Sequence, residues 1–331
     1  MTTLLEIKEK LRAFYAKYDI YIKPALKFLL ALVVYIQING NIGYNSKIES
    51  FPITLVLALL GAILPIGATV FIAAIVILLH LYALSFEVAI IGFILFVMVY
   101  FLYFRFSPKK GMNVLLMPIC LKFRVGSVVP VTSGLVSEWY SAISIVSGTL
   151  VYYFLLGIKE NASTLGAETD EGITYKFTAV INQLVGNKQM YLAMVTFALT
   201  TLVVYTIRKL SANYSWYIAI ITGLLVNFIM ELGGKLMLGI SLNLGFLLLE
   251  TAVTAIVAFI VMFMTFNLDY TRVERVQFED DDYYYYVKAV PKIFVAEKEK
   301  TVKTISTKKK KSRSDFTKED FEEQMGRNIE E

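Results

Sequence analysis

Long apolar runs dominate the chain: residues 24–40, 51–84, 88–104, 140–158, 191–207, 215–230 and 237–266. About 20 helical residues cross the hydrocarbon core of a bilayer, and most of these runs approach or exceed that length. In lipid every backbone N–H and C=O must be satisfied inside the segment, so the runs are read as helices. A hydrophobic content of 57% is above that of soluble domains. The expected fold is an all-α polytopic membrane protein of about 6–8 transmembrane helices, with re-entrant or broken segments and a small cytoplasmic α/β tail.

Charge gives the expected orientation, because Lys and Arg collect on the cytoplasmic side. Lys8, Lys10, Arg12, Lys17 and Lys23 precede the first run, and Arg105, Lys109 and Lys110 follow the third. Arg208 and Lys209 form another basic turn, and the tail beyond residue 266 is rich in both residues. The other connections are poor in them. Residues 41–50 hold only Lys47, residues 159–189 offset Lys159, Lys176 and Lys188 with Glu160, Glu168, Asp170 and Glu171, and the turn near Glu231 has only Lys235. Both termini are therefore expected in the cytoplasm. The use of Ile, Lys, Tyr and Asn suggests an AT-rich bacterial genome, which points to the plasma membrane of a bacterium. The N-terminus lacks the layout of a cleaved signal peptide.

Three runs should break. Residues 51–84 contain Gly61, Pro65 and Gly67, which favour a hairpin, or a re-entrant loop with short arms. Residues 112–134 are interrupted by Pro118, Lys122, Arg124, Gly126, Pro130 and Gly134 and flanked by basic residues. They read as an interfacial or re-entrant segment that starts and ends on the cytoplasmic side. The last run should break at residues 243–245.

Three parts follow. In residues 1–23, Leu4, Ile7, Leu11, Phe14, Tyr15, Tyr18 and Ile22 recur at helical spacing with charge opposite. This is an amphipathic interfacial helix, lying on the inner leaflet or on the protein's own loops. Residues 24–266 form the transmembrane domain. Residues 267–331 form the tail: a β-hairpin within 271–295, a basic linker 296–314, and a short helix 317–327 opened by the Thr317–Asp320 capping box. Tyr283 and Tyr284 offer a partner contact or one covered strand face. Lys308, Lys309, Lys310 and Lys311 offer a site for anionic lipid or a solvated linker.

Candidate function rests on polar residues at depth and on the breaks. Glu250 is foremost, since charge inside a membrane is costly. A helix starting near Gly239 puts it near the bilayer middle; one starting near Gly245 puts it nearer the outer interface. Lys122 and Arg124 form a basic pair suited to an anionic substrate, a lipid head or simple orientation. His80, Glu87 and Glu138 read as interfacial anchors, and Asn227 and Asn243 as interhelical hydrogen-bonding residues. Pro65 and Pro130 follow Gly61 and Gly126 at the same spacing, and broken helices in corresponding positions mark the substrate pathway in many transporters. With one His and one Cys, Cys120, no metal site, disulfide framework or cofactor is expected. Nucleotide-binding motifs are missing and nucleic acid is not an expected partner.

An interfacial N-terminal helix leading into a first span and then broken short helices, over residues 1–135, resembles the membrane subunits of bacterial ABC-type exporters. The resemblance implies a permease-like subunit with a separate ATPase docked on its cytoplasmic elements. Membrane lipids, other membrane subunits and a second copy of the chain are further expected partners. The alternative is a non-transporting scaffold that recruits cytoplasmic proteins through its tail. A membrane enzyme would need polar residues clustered at one interface, and only Lys122, Arg124 and Glu138 qualify.

Overall fold

The structure, a computed structural model, describes residues 2–166, 172–210, 214–265, 274–279 and 284–289. The chain is a multipass helical membrane protein. Among the described residues six helices are long and apolar enough to cross a bilayer: α4 (Ile66–Leu84), α5 (Phe86–Phe106), α8 (Ser141–Glu160), α11 (Lys188–Arg208), α12 (Ser215–Leu238) and α13 (Leu244–Thr265). Around them stand α1 (Thr2–Ile42), α2 (Ser46–Glu49), α3 (Phe51–Ile63), α6 (Gly111–Lys122), α7 (Val128–Val136), α9 (Ala162–Gly166) and α10 (Gly172–Gly186). Residues 159–189, read from sequence as a connection, thus carry two helices of their own.

α1 is two helical stretches joined across a kink at Tyr18, shortly before the expected boundary at residue 23, and the second stretch passes through Pro24. Its second half buries Ala31, Val34, Tyr35, Ile38 and Ile42 in the core.

Hydrogen bonds fix the two ends of the bundle. At one end Lys27 Nζ donates to the Leu64 carbonyl at 3.2 Å, and Lys110 Nζ donates to Ser137 Oγ at 3.1 Å. The Arg208 guanidinium there donates to the Leu135 and Ser137 carbonyls. Glu138 lies outside the spans. It accepts from the Tyr205 hydroxyl at 2.9 Å, with Lys209 at 3.6 Å. The hydroxyl, then the lysine, hold its carboxyl below the usual carboxylate range. This is the basic end of the bundle, since Arg105, Lys109 and Lys110 also sit there.

At the opposite end His80 is fully buried. Its Nδ1 accepts from the Asn45 N–H at 3.2 Å, which makes Nε2 the donor to Asn39 Oδ1 at 3.1 Å. Asn39 in turn donates to Thr54 Oγ1 at 2.9 Å. The histidine read as an interfacial anchor therefore ties α1, α3 and α4 together. Lys176 of α10 lies 4.0 Å from Glu87 at this end.

Between these ends α3 descends from Ser50 to Leu64 and α4 climbs back, so residues 51–84 form the hairpin reading, turning at Leu64 and Pro65. α6 and α7 are different. α6 leaves the basic end at Gly111, and α7 returns to it at Val136, with Lys110 and Ser137 bonded to each other. Twelve and nine residues reach only about 18 and 14 Å. This pair is a re-entrant hairpin entering from the basic end.

Lipid is as apolar as leucine, so close packing and buried hydrogen bonds hold such helices together. The hairpin shows both. Asn113 of α6 donates to Ser144 of α8 at 3.3 Å and accepts from Ser133 of α7 at 3.1 Å. Gly148 of α8 lets α6 approach so closely that a Cβ there would lie 2.7 Å from Met117 Cβ and 2.9 Å from the Val114 carbonyl. Gly134 gives α7 the same proximity to Val204 of α11, at 2.7 Å. Outward faces carry large apolar residues such as Phe93, Phe101, Ile229 and Ile256, the surface a bilayer covers.

Apart from the membrane unit, β1 (Glu274–Glu279) and β2 (Tyr284–Ala289) pair antiparallel, with Glu279 opposite Tyr284 and Glu274 opposite Ala289. Tyr283, Lys308, Lys309, Lys310 and Lys311, and the expected linker and C-terminal helix, lie outside the described residues.

Because the close neighbours of Gly148 include backbone, Gly148→Ala is expected to destabilise the protein by about 1–3 kcal/mol through overpacking. A fall in the unfolding midpoint in detergent checks this; an unchanged midpoint would show that α6 does not press on α8 there.

Candidate functional site

A helix broken inside a membrane leaves backbone groups that water cannot satisfy. The turn between α6 and α7 solves this locally at one end. Arg124 takes the left-handed conformation, φ 58°. Its N–H donates to the Leu121 carbonyl at 3.1 Å, and the Val125 N–H donates to the Cys120 carbonyl at 2.9 Å. This is a Schellman cap, normally made with glycine. An arginine in that conformation costs about 1 kcal/mol. Gly126 follows because a Cβ would lie 2.8 Å from Leu121 and 3.0 Å from Phe197.

The α7 end needs help from another helix. The Ser127 N–H donates to Glu250 Oε1 of α13 at 2.8 Å, and Ser127 Oγ meets Thr254 Oγ1 at 2.7 Å. A carboxylate at a helix N-terminus also faces the positive end of the helix dipole. Pro130 sits in the first turn of α7, where a missing N–H leaves nothing unpaired. Its role is to start this half-helix. At the other end of α7 Arg208 caps the final carbonyls, held also against the Trp216 ring at 5.7 Å.

Beside this junction lies a polar cavity of about 450 Å³. Arg124, Gln189, Glu231, Lys235, Asn243 and Glu250 supply its polar wall. Glu231 and Lys235, one turn apart on α12, pair at 2.6 Å, with Glu231 buried. Arg124 lies over the Phe246 ring at 4.3 Å from its centre and makes no ion pair among the described residues. Ser241 and Asn243, both exposed, line the cavity at the end opposite Lys110. Towards the basic end Val131, Leu135, Val204, Ala219, Ile220 and Ala258 form a buried apolar cluster beneath the hairpin. The cavity is thus polar, deep and backed on one side by an apolar plug that includes α7.

Several expectations change here. Glu250 lies in the second turn of a 22-residue helix that starts at Leu244, in the half away from Lys110, so the start near Gly245 is the one observed. Lys122 and Arg124 belong to the hairpin tip, so they face that same opposite end and are not at the basic end. Arg124 and Glu250 share the cavity, while Lys122 lines an adjoining space of about 490 Å³ with Asn41, Tyr152 and Lys159. Pro65 lies at the α3–α4 turn at the basic end and does not line the cavity. Asn243 caps its own helix, accepting from the Phe246 N–H at 3.3 Å. Among the described residues the buried Asn227 Oδ1 has no hydrogen-bond partner, and neither asparagine makes the interhelical bond expected of it there.

The residues 231–235, read as a turn, are helical. Their opposite charges at i,i+4 spacing were the available signal. Gln189 gave none, since it lies at the start of a helix otherwise read by its apolar residues. Among the described residues no group of His, Cys, Asp and Glu is placed to hold a metal ion. No protein-family model, curated protein or solved structure matches the chain.

Glu250→Leu removes the acceptor for a buried N–H at the start of α7 and is expected to cost about 1–3 kcal/mol. Glu250→Gln keeps an oxygen acceptor and should retain most of that stability. Thermal unfolding in detergent separates the two, and equal stability of the Leu and Gln variants would remove the Ser127 bond from the account.

Proposed function

We propose that the protein is a permease-like subunit of a membrane transport complex, with the cavity beside Glu250 as its solute site. The observation that carries this reading is the polar space of about 450 Å³ at the tip of the re-entrant hairpin. Burying Glu231, Lys235 and Glu250 there is costly for a chain that only anchors partners. A scaffold needs helices that pack, and apolar packing would serve it better. The apolar cluster behind α7 supplies the second element of a transport pathway, a closed side opposite an open one. Movement of the hairpin against α11 and α13 would expose the cavity to the basic end. Its four charged groups, two of each sign, suit a polar or zwitterionic solute.

By the positive-inside rule the basic end is cytoplasmic, together with both termini, in the plasma membrane. The cavity then opens outward. The resemblance to ABC-type exporter subunits adds a separate ATPase as the energy source, docked on cytoplasmic elements of this chain.

Purification from the native membrane in mild detergent, with mass spectrometry of what accompanies the tagged protein, tests this. A stoichiometric nucleotide-binding ATPase is expected, and the purified assembly should hydrolyse ATP at a rate lowered at least several-fold by Glu250→Gln. Partners without an ATPase, lost when residues 296–331 are deleted, would make the chain a scaffold and overturn the reading.

A further inference from the structure

We infer that the apolar groove enclosed by α1, α4, α5, α6 and α8, with Lys122 and Lys159 at its mouth, binds an anionic phospholipid. The phosphate would sit between the lysines and one acyl chain in the groove.

Val34, Ile38, Phe96, Val99, Leu115 and Leu155 line the groove. Its wall is apolar except for Gln37, Asn41 and the tyrosine hydroxyls, which suits a hydrocarbon chain. Asn41 and Tyr152 line this groove and also the adjoining space of about 490 Å³ that holds Lys122, Lys159 and Glu160. The apolar and polar compartments therefore meet at Asn41 and Tyr152.

The two ammonium groups converge. Lys159 Nζ donates to the Gly40 carbonyl at 3.3 Å, and Lys122 Nζ lies 3.9 Å from where a Cβ of Gly40 would be. Neither lysine makes an ion pair among the described residues. Among the described residues Glu160 is the one acidic residue lining the mouth, against two lysines.

Depth decides between ligands. α1 ends at Ile42 and α8 at Glu160, so the mouth lies at the helix ends, the level of lipid headgroups. From there the groove runs along the helices to Tyr103, near the basic end. A free anion would use the lysines and leave the groove empty. A neutral hydrocarbon would fill the groove and leave the lysines idle. A phospholipid with net negative charge uses both, in the orientation it already has in the bilayer. The inference concerns binding alone and does not rest on the transport reading.

Native mass spectrometry of the detergent-purified protein tests it, with added dioleoyl phosphatidylglycerol, dioleoyl phosphatidylcholine, glycerophosphoglycerol or inorganic phosphate. Phosphatidylglycerol is expected to be retained, and phosphatidylcholine about tenfold less. The Lys122→Ala/Lys159→Ala double variant, checked for intact folding by gel filtration, should lose about tenfold in retention of phosphatidylglycerol. Glycerophosphoglycerol and inorganic phosphate should not compete. Equal retention of both lipids, full retention by the double variant, or competition by the chainless anions would each overturn the assignment. The last result would mark an aqueous anion site. Failure of any of these leaves the ATPase test above unaffected.

Discussion

One constraint organises this molecule: a peptide group at membrane depth must find a partner within the protein. Continuous helices meet it automatically, and the break between α6 and α7 does not. Each device around that break answers to it. The left-handed Arg124 closes the carbonyl end of α6, and Glu250 receives the first free N–H of α7. Arg208 covers the carbonyls at the far end of α7. Each unpaired group would cost several kcal/mol in hydrocarbon, so these contacts outweigh the strain and the buried charge that they require.

The same devices produce the candidate site. Glu250 has to be near the hairpin tip to cap it, and a carboxylate at that depth draws in other polar groups. Glu231, Lys235 and Gln189 provide them, around a space that the short half-helices leave unfilled. Close contacts through Gly134 and Gly148 then fix the hairpin against α11 and α8. The candidate site and the fold thus share one set of interactions.

Much of this was legible in the chain. The apolar runs specify spanning helices, and Gly61 with Pro65 marks the α3–α4 turn, because breakers inside an over-long run leave few alternatives. Basic flanks marked residues 112–134 as interfacial or re-entrant, and the lengths and hydrogen bonds of α6 and α7 select the re-entrant path. Glu250 stood out as a carboxylate in apolar surroundings. What the sequence concealed depends on partners far away in the chain. His80 looks like an interfacial residue until Asn39 and Asn45 are brought to its ring. Lys122 and Arg124 look cytoplasmic when charge alone is counted, because the depth reached by α6 is a matter of helix length and packing. Glu231 and Lys235 look like a turn because two charges interrupt an apolar run, whereas their pairing at helical spacing lets the helix continue.

The most direct measurement is sided labelling of the hairpin. With Cys120, the chain's one cysteine, replaced by alanine, single cysteines at Lys110, Ser137 and Arg124 would be reacted with a membrane-impermeant maleimide from each side of sealed vesicles. The account requires Lys110 and Ser137 to label from the same side and Arg124 only from the other. Lys110 and Ser137 labelling from opposite sides, or Arg124 labelling together with them, would contradict a re-entrant hairpin whose tip faces a cavity open at the far end.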